Sequence, residues 1–326
     1  MLGLLQDASW TADYPLPAIL VGLVLLVVGA DLLVRGAVWI ALTLGMSPMA
    51  VGLTLVAMGT SLPELLVSLT AARSGASAIA MANVIGSNTA NVLLIVGCAA
   101  AICAIKLQTR FLELGYMLVA TALAAVPFVI GCGVSRPIAG LMVGMLVLFC
   151  TQLLLRERQK ELQPEPESHT PPTLLRWLGH TAQLGVGFAM LAYGADWLVG
   201  GAVAIATSLG MSEAVIGMTI VAVGTSLPEL ATSVVAARKR EPEIAIGNVV
   251  GSNIFNVGAV LGIAGLLQPF DVDVASLWRL MAMTAISAIL LVVVLRRGGG
   301  VSRGWGVVFV LAYFGYMTFE VLHARA

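Results

Sequence analysis

The sequence is short of charge. Asp, Glu, Lys and Arg make up 10% of its 326 residues, while 59% are hydrophobic. A soluble domain carries roughly 25% charged residues, so a freely soluble chain is excluded and a polytopic membrane protein indicated. Long polar stretches are missing too, which leaves little room for a soluble catalytic domain. Cysteine is scarce: Cys98, Cys103, Cys132 and Cys150 sit in or beside apolar runs without ligand-like partners. They read as small buried hydrophobes rather than disulfide or metal ligands. His169, His180 and His323 fall in a central linker, at an expected helix start and near the C-terminus, none placed as a core ligand. Met1 to Tyr14 holds no Lys or Arg, so a positively charged signal-peptide region is absent and the apolar segments themselves must direct insertion. The Gly-rich stretches lack a GKS/T phosphate loop and a strand–loop–helix setting. With no nucleophile–base pair either, neither an enzyme, a nucleic-acid binder nor an ATP-driven pump is expected, and transport would run on an ion gradient.

What the chain does have is a duplication. Ala57-Met-Gly-Thr-Ser-Leu-Pro-Glu64, followed by Asn83-Val-Ile-Gly-Ser-Asn88, returns 165 residues later as Ala222-Val-Gly-Thr-Ser-Leu-Pro-Glu229 and Asn248-Val-Val-Gly-Ser-Asn253. Gly29–Gly97 aligns with Gly194–Gly262 without a gap, and 39 of the 69 positions are identical. Chance does not produce that, so the repeat is real.

Ten apolar segments can be drawn, at about 15–41, 46–72, 77–104, 111–131, 137–155, 177–208, 211–237, 243–267, 275–295 and 304–322. The charged, Pro-rich stretch Arg156 to Pro172 follows the fifth. The expected architecture is an all-α integral membrane protein of ten transmembrane helices. A first five-helix repeat (1–155, motif helices 46–104) and a second (177–326, motif helices 211–267) flank a linker at 156–176. Because five is odd, the second copy enters from the opposite side and the repeats have inverted topology. With both termini outside, the inner loops hold twelve basic residues, among them Lys106, Arg156, Arg176, Arg238, Lys239, Arg240, Arg296 and Arg303. The outer loops hold four: Arg73, Arg136, Arg279 and Arg325. That asymmetry sets the orientation. Asp31 and Arg35, four residues apart on one helix face, are expected to pair. Asp196 repeats Asp31, but Gly200 replaces the arginine. Glu113, Glu213 and Glu320 fall near segment ends and read as interfacial.

The motifs contain the chemistry. A carboxylate inside hydrocarbon is expensive unless a cation or polar partner offsets it, and Glu64 and Glu229 provide one in each half. Pro63 and Pro228 have no N–H, which deprives the carbonyls of Gly59 and Gly224 of their helix partners and kinks both helices. Thr60, Ser61, Thr225 and Ser226 add neutral oxygens. An all-oxygen donor set suits hard cations such as Ca2+ and Na+, and one divalent ion balances two carboxylates. Asn83 and Asn248 can offer amide oxygens without charge. Asn88, Asn91, Asn253 and Asn256 read first as interhelical bridges. The copies differ where Ala82 precedes Asn83 and Gly247 precedes Asn248, so the pocket need not be symmetric.

In these paired blocks the sequence resembles the calcium/cation antiporter superfamily, which includes the sodium/calcium exchangers. Its short loops look like the bacterial or archaeal branch. The resemblance implies a plasma-membrane antiporter that exports Ca2+ in electrogenic exchange for Na+ by alternating access, with the first and sixth helices sliding. It implies a site on the second, third, seventh and eighth helices, with Glu64 and Glu229 as central Ca2+ ligands and Thr60 and Thr225 assisting through backbone oxygen. Ser61, Ser226 and the backbone oxygens of Ala57 and Ala222 would serve flanking Na+ positions, and Asn83 and Asn248 would complete the centre. No cofactor beyond the transported ions and no ATPase partner is implied. Some relatives carry Asp where Asn248 stands, and the proton-coupled branch typically has a further Glu in this third-helix region. Two neutral asparagines here favour Na+ over H+. The alternatives are an H+-coupled antiporter of Ca2+ or another divalent cation and, less compatible with an inverted duplication, a passive cation channel.

Overall fold

The computed structural model describes residues 9–73, 77–106, 111–161, 173–210, 222–272 and 274–323. After a short turn at Ser9–Asp13 the chain runs through α1 (Pro15–Thr43), α2 (Pro48–Thr60), α3 (Leu62–Arg73), α4 (77–102), α5 (Phe111–Ile130) and α6 (Arg136–Glu161). The second half contributes α7 (Leu174–Ser208), α8 (Leu227–Arg238), α9 (Pro242–Leu267), α10 (Val274–Gly298) and α11 (Arg303–His323). Seven of these helices are long and apolar enough to cross a membrane, and the pair α2–α3, bent by 44°, makes eight. The first part of the expected seventh segment, 211–221, lies outside the described residues. So do Glu213, Arg110, Arg325, His169 and the middle of the linker.

Burial decides which helices are central. Over their most apolar stretches α4 and α9 are 78% and 83% buried, whereas α7 is 22% buried. The helices carrying the Gly-Ser-Asn blocks therefore form the core, and α1 and α7 lie outside it with Leu16, Leu20, Val24 and Leu178 exposed. Exposed aliphatics on a membrane-spanning helix are its lipid face.

α1 and α7 contain corresponding sequence yet run antiparallel. A Cβ added at Gly22 would sit 2.7 Å from the Gly194 carbonyl oxygen, and one at Gly29 would sit 2.9 Å from that of Gly187. Gly187 and Gly194 are the counterparts of Gly22 and Gly29, so the two contacts interchange under the repeat. Small residues allow this close approach, which in a membrane must be held by packing rather than hydrophobic burial. Trp10 meets Trp197 edge-on at one end of the pair, and Trp39 meets Trp177 and stacks on His180 at the other. The loops show the same doubling. Strands β1 (Ile105–Lys106) and β2 (Gly300–Val301) pair antiparallel, with Ile105 opposite Val301. Phe270, the counterpart of Ile105, bridges to Val134.

Several side chains depart from the sequence expectations. α6 continues through Arg156 to Glu161, so the first residues of the expected linker are helical. Buried Glu157 there accepts a hydrogen bond from the Ser47 backbone N–H at 2.7 Å, beside the start of α2. Glu113, in the first turn of α5, is buried. Glu320 takes a two-pronged hydrogen bond from Arg279 at 3.2 and 3.3 Å. Asp31 pairs with Arg35 at 2.6 Å as expected, and Lys239 joins it at 2.5 Å. The four cysteines are free and pack, half-buried, against the core.

Gly194→Leu should force α1 and α7 apart. Overpacking of this kind costs about 1–3 kcal/mol, read as a lower midpoint of thermal unfolding in detergent. Gly185→Leu, with open space around its position, should leave the midpoint unchanged.

Candidate functional site

Proline starts the two helices that carry the carboxylates. The chain breaks at Ser61 (ψ 4°), and α3 begins with Leu62-Pro63-Glu64. The turn Ala222–Gly224 leads through Thr225 and Ser226 (ψ 7°) into Leu227-Pro228-Glu229 of α8. Proline is tolerated in a first turn because its missing N–H has no intrahelical partner there anyway. Each glutamate therefore stands in the first turn of a helix, where the unpaired N–H groups and the helix dipole favour negative charge.

The two carboxylates are fully buried and held crosswise. Ser61 Oγ donates to Glu229 Oε1 at 3.2 Å, and Ser226 Oγ donates to Glu64 Oε1 at 3.5 Å. Every serine thus serves the glutamate of the other half, which brings both motifs to one centre. The Thr225 and Ser87 hydroxyls also face Glu64, though neither completes a hydrogen bond. The second oxygen of each carboxylate, Oε2 of Glu64 and of Glu229, is buried without any partner. Buried polar atoms are normally satisfied, and two orphaned carboxylate oxygens at one centre are what a cation would satisfy.

Asparagine fixes the geometry behind the carboxylates. Asn83 Nδ2 donates to the Glu64 backbone carbonyl at 3.3 Å and to Ser68 Oγ at 3.0 Å. Asn248 Nδ2 does the same with the Glu229 carbonyl at 3.3 Å and Ser233 Oγ at 3.0 Å. These amides tie α4 to α3 and α9 to α8 one turn around each glutamate. Thr60 Oγ1 donates to Asn248 Oδ1 at 3.1 Å and lies 3.1 Å from the Val56 carbonyl and 3.4 Å from that of buried Ala57. The structure therefore places Thr60, Ser61, Glu64, Asn83, Thr225, Ser226, Glu229 and Asn248 together. Ala57 stands one turn before Glu64's helix break, and Ala222 opens the corresponding turn, its side chain outside the described residues.

Sequence reasoning missed Ser68 and Ser233. The signal was available: each lies four residues after its glutamate, on the same helix face, and the pair recurs at the repeat spacing. It also undervalued part of the Asn cluster. Asn88 and Asn253 donate to each other's backbone carbonyls, and Asn91 and Asn256 donate to the Asn253 and Asn88 side-chain oxygens at 3.0 Å. That is the expected bridging role. Yet Asn91 Oδ1, Asn256 Oδ1, Ser87 Oγ and Ser252 Oγ are buried and unpartnered. Asn91 and Asn256 open the π-helical stretches Asn91–Val96 and Asn256–Leu261, which pack against α8 and α3, the glutamate helices of the opposite halves. Wide turns of this kind inside α-helices occur frequently at functional sites.

The donor set is oxygen throughout. Among the described residues no three His, Cys, Asp or Glu side chains converge; the centre has two carboxylates amid neutral hydroxyls and amides. Such a set suits a hard cation held by modest charge, and one divalent ion neutralises it.

A family profile described as sodium/calcium exchanger protein matches residues 15–155 and 179–322. The chain is 39% identical to the putative antiporter CaxA of Alkalimonas amylolytica, the match covering 91% of this chain and 96% of that protein. It is 36% identical to the sodium/calcium exchanger MaX1 of Methanosarcina acetivorans, over 92% and 96% of the two chains. Among solved structures, the sodium-calcium exchanger NCX_Mj soaked with Na+ and zero Ca2+ superposes with a TM-score of 0.80 at 30% identity, covering 94% of this chain and 99% of that one.

Ser68→Ala removes the hydroxyl that receives Asn83. A net hydrogen bond contributes about 0.5–1.5 kcal/mol, so thermal stability should drop by that order. Ser68→Thr, which keeps the acceptor, should recover most of the loss.

Proposed function

Because the chain belongs to the sodium/calcium exchanger protein family, we propose that it exchanges Na+ for Ca2+ across the plasma membrane by alternating access, in the direction of Ca2+ export. The observation that carries this reading is the pair of buried carboxylates, each held by a serine of the other half and each with one oxygen left over. Glu64 and Glu229 take Ca2+ between them. Thr60 and Thr225 assist through backbone oxygen, and Ser61, Ser226 and the backbone oxygens of Ala57 and Ala222 serve flanking Na+ positions. The unpartnered oxygens of Ser87, Asn91, Ser252 and Asn256 extend that donor set. Asn83 and Asn248, whose amide nitrogens are engaged, act chiefly by holding the glutamate turns in place.

The charge balance explains why such a site exchanges rather than leaks. Two buried carboxylates without a counter-ion carry a large desolvation penalty, so the empty site resists passing through a closed state. One Ca2+ neutralises it, and Na+ ions do the same by number. Return therefore requires cargo. The antiparallel packing of α1 against α7 supports an inverted-repeat architecture of ten spans, and the basic residues of the 238–240 junction support a cytoplasmic position for the α8–α9 end.

The test is radiolabelled Ca2+ uptake into proteoliposomes loaded with Na+, compared with K+-loaded and acid-loaded vesicles. Uptake should require internal Na+. Removing one partner from a buried charged set costs about 3–5 kcal/mol, so Glu64→Gln and Glu229→Gln should each lower uptake more than about a hundredfold. Uptake driven only by internal acid contradicts Na+ coupling, and robust uptake by either variant contradicts a shared site.

A further inference from the structure

Nearly every hydrogen bond at the centre is made twice, once in each half. Ser61–Glu229 is matched by Ser226–Glu64, Asn83–Ser68 by Asn248–Ser233, and Asn91–Asn253 by Asn256–Asn88. Among the described bonds that join the motif helices of the two halves, one breaks the rule. Thr60 Oγ1 donates to Asn248 Oδ1 at 3.1 Å, whereas Thr225 Oγ1, its counterpart, is buried without a partner and does not reach Asn83. Burial follows the same division: Thr60 and Asn248 are 1% and 0% exposed, while Thr225 and Asn83 are only half-buried. A second contact closes the same end. Lys239, at the α8–α9 junction, reaches across to both the carboxylate and the backbone carbonyl of Asp31 on α1. The position corresponding to Lys239 in the first half is Ser74, which cannot make an ion pair.

We propose that Asn248 and Asn83 are positioning residues that exchange threonine partners as the site changes sides. In the arrangement seen here Thr60 is bonded to Asn248, and Thr225 is without a partner. In the opposite state Thr225 donates to Asn83, and Thr60 lets go. The logic is that of any two-state element: an interaction made in one state alone shifts the balance by its full strength, while one made in both shifts nothing. The duplicated bonds belong to the second kind and the threonine–asparagine bond to the first. The amide nitrogens stay on the glutamate carbonyl throughout, so each asparagine can sense the far threonine without releasing the carboxylate it supports. This proposal rests on the two-sided transport site described above.

Hydrogen–deuterium exchange of the full chain in lipid nanodiscs tests it, with mass-spectrometric peptides over 77–86 of α4 and 242–251 of α9. Thr60→Val keeps the shape and the backbone oxygen but loses the donor. It should raise deuterium uptake over 242–251 and lower it over 77–86, a shift toward the opposite state, and Thr60→Ser should restore the wild-type pattern. Thr225→Val, which removes the bond of the opposite state, should not shift uptake in that direction. Uptake that rises over 242–251 without falling over 77–86 marks a merely structural bond and overturns the exchange of partners. So does any result in which Thr225→Val shifts uptake in the same direction as Thr60→Val. Ca2+ calorimetry on the same wild-type sample reads the transport proposal separately. Protein that binds no Ca2+ but keeps the opposed shifts supports the partner exchange while contradicting Na+/Ca2+ exchange.

Discussion

Two fully buried carboxylates, one from each half, impose the main constraint on this protein. Among the described residues neither Glu64 nor Glu229 has a Lys or Arg to pair with, and both are fully buried. Ionised carboxylates in such a place are untenable unless oriented dipoles and a mobile cation stabilise them. The surrounding structure answers that need. Proline breaks put both glutamates at helix starts, serines cross from the opposite half, and asparagines hold the backbone turns. The oxygens left over are the ones a cation would take.

Duplication makes the arrangement economical. A single broken helix supplies one carboxylate, one serine and one anchored turn, which is half of the proposed cation site. A second copy running the other way supplies the other half. The interdigitated glycines of α1 and α7 show how closely the halves approach, and the exchange of Gly22–Gly194 for Gly187–Gly29 shows that the approach obeys the repeat. Several departures from that symmetry involve α8 and α9. Gly247 stands where Ala82 does in the first copy because α9 meets the backbone of α2 at Met49, where a Cβ would lie 2.8 Å from a carbonyl oxygen. Thr60–Asn248 and Lys239–Asp31 close the same region.

Much of this was legible in the sequence, for physical reasons. A Pro and a Glu inside an apolar run are each unusual, and their recurrence at a spacing of 165 residues drew attention to the helices that carry the buried glutamates. The Asp31–Arg35 pair followed from helical spacing. What stayed hidden depended on partners distant in the chain. Ser68 and Ser233 look like ordinary small residues until Asn83 and Asn248 are seen to reach them. Lys239 reads as a loop charge because its partner lies 208 residues away. The wide helical turns at Asn91 and Asn256 leave no compositional trace, so amides that read as simple bridges proved to have a free oxygen as well. The burial of Glu113 and Glu157 stayed hidden too, because nearness to a segment end says nothing of which neighbouring helix covers it.

The most direct measurement is the stoichiometry of Ca2+ binding to the purified chain by isothermal titration calorimetry, in the absence of Na+, for the native protein and for Glu64→Gln and Glu229→Gln. A single centre built from both halves gives one Ca2+ per chain and loses it in either variant. Two Ca2+ per chain, or native affinity retained after either substitution, would mean that each half binds on its own and that the carboxylates do not share an ion.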